Sequence, residues 1–258
     1  MVCAAKTLPE PYYERDGIRI YHGESFYILD ALQGLSAIVT DPPYSSGGTF
    51  SGARVQSTVS KYVQSGTVRR LPNFSGDNRD QRSFRFWSTL WLTAAFHATV
   101  PGAVICSFID WRQLPTLTDA IQAGGWTWRG VGVWSKGFGR PGPNRFSSAC
   151  EYLVWGSNGP MPNEKQDAVY PSGIVECSVA CGKTKLHIAQ KPDKVAEWSL
   201  SIVPPGGTIC DPFMGSGSTL VAARKRGIKA IGIECDEQSC EVAAKRIDDQ
   251  ITSECADC

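Results

Sequence analysis

The sequence of 258 residues has no apolar run of the roughly 18 residues that a membrane-spanning helix needs. Its first ten residues carry no basic segment followed by an apolar core, so no secretory signal is expected. Cysteine is too sparse for a disulfide framework. There are ten in the chain, and in a reducing compartment most behave as small buried hydrophobes, a role that fits Cys106 and Cys210 in their apolar runs. Of the local pairs Cys177/Cys181, Cys235/Cys240 and Cys255/Cys258, only the last has CxxC spacing. No second CxxC or His pair complements it, so no metal site is expected. Net charge is nearly absent as well. The 26 Lys and Arg side chains against 25 Asp and Glu leave +1, which read alone argues against a strongly basic nucleic-acid binder. With 42% hydrophobic and 20% charged residues, disorder is excluded and a soluble intracellular domain is expected.

The near-neutral total conceals an uneven distribution. Residues 54–85 hold seven cations against two anions, and residues 234–258 hold two cations against eight anions. The apolar residues fall in a strand–helix rhythm. Residues 17–22 read as a strand, Ser25 opens a helix reaching Gly34, and residues 36–40 read as a second strand, a parallel βαβ unit. Residues 84–96 suit a helix, 103–109 a strand, 114–123 a helix, and 126–134 and 150–155 two strands. In the last third, residues 194–203 suggest a helix and 208–210 a strand. A helix over 218–226 stops at Gly227, a strand covers 228–233, and Asp236 caps a final helix through Ile247. The expectation is a doubly wound, Rossmann-like α/β sheet in one domain over residues 1–258. Two segments break the rhythm: a basic, Gly- and Ser-rich flexible insertion over 45–83 and a short polar stretch over 156–186.

Two motifs carry chemistry. In the first, a strand enters Asp211-Pro212-Phe213-Met214-Gly215-Ser216-Gly217 and a helix follows. Gly215 and Gly217 would let the backbone approach a nucleotide-like ligand, and Glu234, at the tip of the next strand, would accept from ribose hydroxyls. A phosphate-cradling Walker loop is not present, because Ser218 stands where Lys is required. Leu220 stands where a dinucleotide fingerprint needs its third glycine. In the second motif, an apolar strand runs into Asp41-Pro42-Pro43-Tyr44. Consecutive prolines cannot continue a ladder, so Asp41 and Tyr44 are presented on a stiff turn at the strand's carboxyl end. A carboxylate, the Pro42 carbonyl and an aromatic face suit an exocyclic amine on a planar base. Taken singly, each motif could also be an ordinary turn.

Taken together, Asp41-Pro42-Pro43-Tyr44 followed by residues 211–219 resembles the S-adenosylmethionine-dependent amino-methyltransferases of DNA. The order, tetrapeptide before cofactor loop, is similar to their circularly permuted beta class. His187-Ile188-Ala189-Gln190-Lys191-Pro192 is similar to the family's His-Pro-x-Gln-Lys-Pro motif, with Ile188 departing from the usual Pro. Gly23-Glu24 stands where Gly-Asp is common. Trp134-Ser135-Lys136 and Glu151-Tyr152-Leu153-Val154-Trp155 look like the family's connecting strands. The resemblance spans residues 17–250.

The resemblance implies methyl transfer from S-adenosyl-L-methionine to N6 of adenine in DNA, with the base flipped out of the duplex and direct in-line transfer. Asp at the first motif position leans towards adenine. N4 of cytosine by the same machinery is the alternative, followed by RNA or protein glutamine as acceptor and by a DNA-binding relative that has lost catalysis. It implies that Asp41, Pro42, Pro43 and Tyr44 form the catalytic turn, with Asp211, Phe213, Gly215, Gly217, Ser218, Thr219, Glu234, His187, Lys191 and Glu24 around the cofactor. Phosphate contacts are assigned to Arg69, Arg70, Arg79, Arg82, Lys136, Arg140 and Arg145. The short target-recognition region over 156–186 implies a short or degenerate target sequence, read partly by residues 45–83. The chain looks like a solitary, phage-borne modification enzyme acting in the cytoplasm of a bacterial or phage-infected cell, with DNA as its partner and no obligatory protein partner.

Overall fold

The computed structural model describes residues 7–45, 78–139, 141–161, 168–178 and 191–256. Arg69, Arg70, Arg140 and His187 lie outside these residues, as do most of the 45–83 insertion and part of the 156–186 stretch.

The chain alternates strands and helices in the order β1 (Tyr13–Arg15), β2 (Ile18–His22), α1 (Ser25–Leu29), β3 (Leu35–Thr40), α2 (Gln81–Ala98), β4 (Thr99–Ile109), α3 (Leu114–Ala123), β5 (Thr127–Ser135), β6 (Cys150–Ser157), β7 (Ile174–Glu176), α4 (Asp193–Ser199), β8 (Thr208–Asp211), α5 (Ser218–Lys225), β9 (Lys229–Glu234) and α6 (Glu237–Ala256). Nine strands form one sheet in the order β1-β2-β9-β8-β3-β4-β6-β5-β7. The five strands β2, β9, β8, β3 and β4 are mutually parallel, whereas β6 is antiparallel to both β4 and β5.

Strand residues alternate between two apolar layers, as a period of two requires. Ala37, Val39, Val104, Cys106, Ile209 and Ala230 join one layer with α4, α5 and α6 through Val195, Leu220 and Ala243. Ile38, Ile105, Cys210 and Ile231 join the other with α1, α2 and α3 through Leu29, Trp91 and Leu117. A sheet covered on both faces explains why its central strands read as unbroken apolar runs.

Several local expectations change. Ser25 does not cap α1: Glu24 holds that position without a side-chain bond, and the helix is only five residues long. Ser25 instead donates to the Pro212 carbonyl. Asp80 accepts from the Arg82 and Ser83 amides, both at 3.0 Å, so α2 begins inside the segment drawn as an insertion. Asp236 caps α6 as expected, accepting from the Ser239 amide at 2.9 Å, but the helix continues to Ala256. The polar stretch yields β7, which pairs with β5 through Val133↔Ile174.

Candidate active site

The two motifs end neighbouring parallel strands. β3 pairs with β8 at Ala37↔Ile209 and Ile38↔Cys210, so the Asp41 and Asp211 turns leave the same edge of the sheet side by side. Ligands bind at that carboxyl edge in open α/β sheets. A side-chain bond ties the turns together: Thr40 Oγ1 donates to Asp211 Oδ1 at 2.6 Å. The Phe213 amide donates to the same oxygen at 3.1 Å. Asp211 is 2% exposed. Burial pushes its carboxyl up to about 6, against the opposing hydrogen bonds from Thr40, Thr219 and the Phe213 amide.

The glycine turn is held from three sides. Gly215 and Gly217 have φ of 49° and 77°, the left-handed region that side chains avoid. At Gly215, no heavy atom of the described residues beyond its chain neighbours lies within 4 Å of the position a Cβ would take, leaving an open approach to the backbone. Glu234 Oε2 accepts from the Gly215 amide at 3.0 Å, while Oε1 accepts from the Cys235 and Asp236 amides. Glu234 thus fixes the turn to the tip of β9. From α6, Arg246 donates to the Ser216 carbonyl at 2.5 Å and lies 3.3 Å from Ser218 Oγ. Phe213 packs between Trp87 and Trp91, each with ring centroids 5.2 Å away. Glu24 is exposed, and its neighbour Gly23 donates to the Glu234 carbonyl at 2.9 Å. This places Glu24 beside the same turn.

The Asp41 turn is built around a buried ammonium. Lys191 Nζ donates to Asp41 Oδ2 at 2.6 Å and to the Tyr44 hydroxyl at 2.9 Å, and lies 3.1 Å from Glu151 Oε2. The Tyr44 hydroxyl is 2.5 Å from Asp41 Oδ1 and 3.0 Å from Glu151 Oε2. With one proton to give, it donates to one carboxylate at a time. Phe108, Tyr44 and Trp134 surround Lys191 with ring centroids 4.9, 5.3 and 5.6 Å from its nitrogen. Lys136 completes the chain, donating to Glu151 Oε1 at 2.5 Å.

Burial penalises every charge in this cluster, and the charges answer one another. Burial raises the Asp41 carboxyl, with Glu151 adding to the rise and Lys191 opposing it. Burial also works against the Glu151 charge, but Lys191 and Lys136 hold that carboxyl down at about 2. The Lys191 ammonium, disfavoured by burial, is held on by Asp41 and Glu151 and stays above its ordinary value. Burial beside two carboxylates lifts the Tyr44 phenol well above the usual range.

The structure therefore places the sequence-derived residues in three groups. Asp211, Phe213, Gly215, Gly217, Ser218, Thr219, Glu234 and Glu24 gather at the glycine turn. Lys191, grouped with the cofactor residues in the sequence reading, binds the Asp41 turn. Lys136, assigned to phosphate, has its ammonium on Glu151 with a side chain only 20% exposed. Arg82 and Arg145 are exposed, and Arg79 stacks on Trp87 with its guanidinium carbon 4.2 Å from the ring centroid. Sequence reasoning missed the roles of Glu151 and Thr40. Glu151 left one signal: a carboxylate heading the apolar run Tyr152-Leu153-Val154-Trp155 enters a buried strand and needs a partner. Among the described residues, no group of His, Cys, Asp and Glu is placed to hold a metal ion.

The fold and its paired turns define a doubly wound α/β enzyme with a nucleotide-type loop beside an acceptor-bearing turn. The chain belongs to the DNA methylase family of N6 and N4 type, whose model matches residues 35–245 and so includes both turns. The type II methyltransferase M.ScaI of Streptomyces caespitosus is 25% identical, with the match covering 96% of this chain and 87% of the relative. The type II methyltransferase M2.DpnII of Streptococcus pneumoniae is 24% identical over 93% of each chain. Two solved structures share the fold. M1.HpyAVI in complex with SAM superposes with a TM-score of 0.60 at 20% identity, covering 89% of this chain and 98% of its own. The cytosine-N4-specific PvuII DNA methyltransferase superposes with a TM-score of 0.66 at 18% identity, covering 91% and 87%.

Proposed function

We propose that this DNA methylase transfers a methyl group from S-adenosyl-L-methionine to the exocyclic N6 of adenine in DNA. The observation that carries the reading is the Asp41 carboxylate, held by Tyr44 and Lys191 at the end of β3, directly beside the glycine turn at the end of β8. The cofactor fits that turn: the described residues leave the backbone open at Gly215, and the buried Asp211 carboxyl, reluctant to ionise, gains a partner in a cationic ligand. Phe213, Gly215, Gly217, Ser218, Thr219, Glu234 and Glu24 would hold it. When bound, it supplies a methyl carbon on a sulfonium whose leaving group is a neutral thioether.

The amine of adenine is a poor nucleophile because its lone pair is delocalised into the ring. Asp41 accepts an N–H bond and turns that lone pair out of the ring plane. As nitrogen forms its bond to carbon it sheds one proton, which leaves through Asp41 to solvent. The chain's contribution is positioning and electrostatics, with no covalent enzyme intermediate. A paired base cannot reach this edge, so the target is flipped, and Tyr44 replaces part of its lost stacking. Arg79, Arg82 and Arg145 are the described cations we assign to phosphate.

Because the PvuII enzyme of the same fold is cytosine-N4-specific, N4 of cytosine is the second reading. The test is nucleoside analysis of unmethylated DNA after incubation with methyl-labelled cofactor. We expect label in N6-methyladenine, and a loss of about 10²–10³-fold in rate for Asp41→Ala. Label confined to N4-methylcytosine overturns the adenine assignment. No label in any base favours a relative that only binds DNA.

A further inference from the structure

We propose that Glu151 is a positioning residue for methyl transfer: through Tyr44 and Lys191 it sets the place and the charge of the Asp41 carboxylate, and Lys136 holds Glu151 in turn. The proposal rests on the reading of Asp41 given above. It is carried by connectivity. Asp41 belongs to the β3 turn, Lys191 precedes α4, Glu151 is on β6 and Lys136 follows β5, so four separated segments meet in one cluster. Two carboxylates and two ammoniums alternate along it, and its four charges sum to zero. The side chains of Lys191 and Glu151 are only 9% and 15% exposed, so solvent does not supply the compensation that each charge needs.

Glu151 has a specific effect in this arrangement. It shares the Lys191 ammonium with Asp41, so Lys191 neutralises neither carboxylate completely. It also offers the Tyr44 hydroxyl a second acceptor, which lets the Asp41 oxygen facing Tyr44 take an N–H bond from the base instead. Without Glu151, the ammonium and the hydroxyl both fall to Asp41, leaving a tightly paired carboxylate that is a weaker acceptor. Among the described residues, the charged or titratable groups around Asp41 are Lys191, Tyr44, Glu151 and Asp211, with Lys136 behind Glu151.

The two neighbours push Asp41 in opposite directions, and this separates the proposal from a merely structural role. Removing the Glu151 charge with Glu151→Gln should move Asp41 titration to lower pH, and Lys191→Met should move it to higher pH, each by about one pH unit. The readout is carbon-13 NMR of apoprotein labelled at aspartate carboxyls, with the Asp41 signal assigned by its absence in Asp41→Asn. In parallel, the single-turnover methylation rate at saturating cofactor and DNA should fall about 10–100-fold in Glu151→Gln, with its acid limb displaced to lower pH and cofactor affinity unchanged. Shifts of the same sign in both variants, or no shift in folded Glu151→Gln, overturn the proposal. An inactive wild type overturns the functional reading instead, and the NMR titration still decides the charge coupling. Should Glu151→Gln not fold, Lys136→Met supplies the test. It frees Glu151 to draw Lys191 from Asp41 and so should move Asp41 titration upward.

Discussion

Among the described residues, the carboxyl of Asp211, buried at the end of β8, has three hydrogen-bond donors and no cation at its oxygens. Its folded-state value of about 6 lies well above the ordinary 3.8. Below the ordinary value both folded and unfolded chains hold the proton, and Asp211 has no effect on stability. As pH rises from there to about 6, the unfolded chain releases the proton while the folded one keeps it, so stability is lost. Asp211→Asn should therefore stabilise the apoprotein at pH 7.5 by roughly 2 kcal/mol more than at pH 4, while weakening cofactor binding. Denaturant unfolding at the two pH values checks it, and an equal effect at both contradicts the burial argument. The residue types around this site were legible in sequence because each sits in a short contiguous motif. Lys191 and Glu151 were not assigned to the Asp41 turn for a physical reason. Their roles depend on contacts 150 and 107 residues away in sequence, and no local pattern encodes which strand end a long side chain will reach.

Elements position the site through close approach. β9 runs beneath the glycine turn, and a Cβ at Gly232 would collide with Met214 Sδ and lie 2.8 Å from Leu220 Cδ2. Met214 belongs to the turn and Leu220 to α5, so the space at Gly232 sets how tightly turn, helix and strand pack. Gly232→Ala should cost about 1–3 kcal/mol through overpacking and lower cofactor affinity at least severalfold. DNA affinity should stay near that of the parent, because the Asp41 turn and the exposed arginines are not in this contact. Calorimetric titration of cofactor alongside DNA-binding anisotropy separates the two effects, and equal losses in both would point to general unfolding. The main strands and helices were readable because burial on both faces writes apolar runs into β3, β4, β8 and β9. The three residues of β7 were not, since Ile174 and Glu176 are exposed and only Val175 is buried. With so little buried surface, the strand is specified by its pairing with β5 rather than by its own composition. The Ser25 assignment failed differently: its hydroxyl had a better-placed partner in Pro212 across the sheet edge, and a capping rule sees only its own helix.

For the whole molecule, a net charge of +1 would give little attraction to a polyanion if it were evenly spread. The fold separates it. The first turn of α2 lies near the carboxyl edge, since Trp87 reaches Phe213 of the glycine turn, and exposed Arg82 stands on that turn. Arg145 is exposed in the connection between β5 and β6, whose paired ends Ser135 and Cys150 open on the same edge. Acidic α6 runs the other way. It leaves the edge after Glu234 and carries Asp248 back to Tyr13 and Arg15 beside the first strands. Cations thus flank the site while an acidic helix leads away from it, a polarity that would orient an approaching duplex under the proposed function. Each phosphate neutralised releases counterions and contributes about −0.9 to the slope of log affinity against log salt. Arg82→Gln and Arg145→Gln should each make that slope shallower by roughly this amount across unrelated DNA sequences. Arg15→Gln, which removes an equal charge from the far edge, should leave the slope unchanged. Equal slopes for all three variants would mean that DNA does not sit across the carboxyl edge, and the phosphate assignments would fall with it.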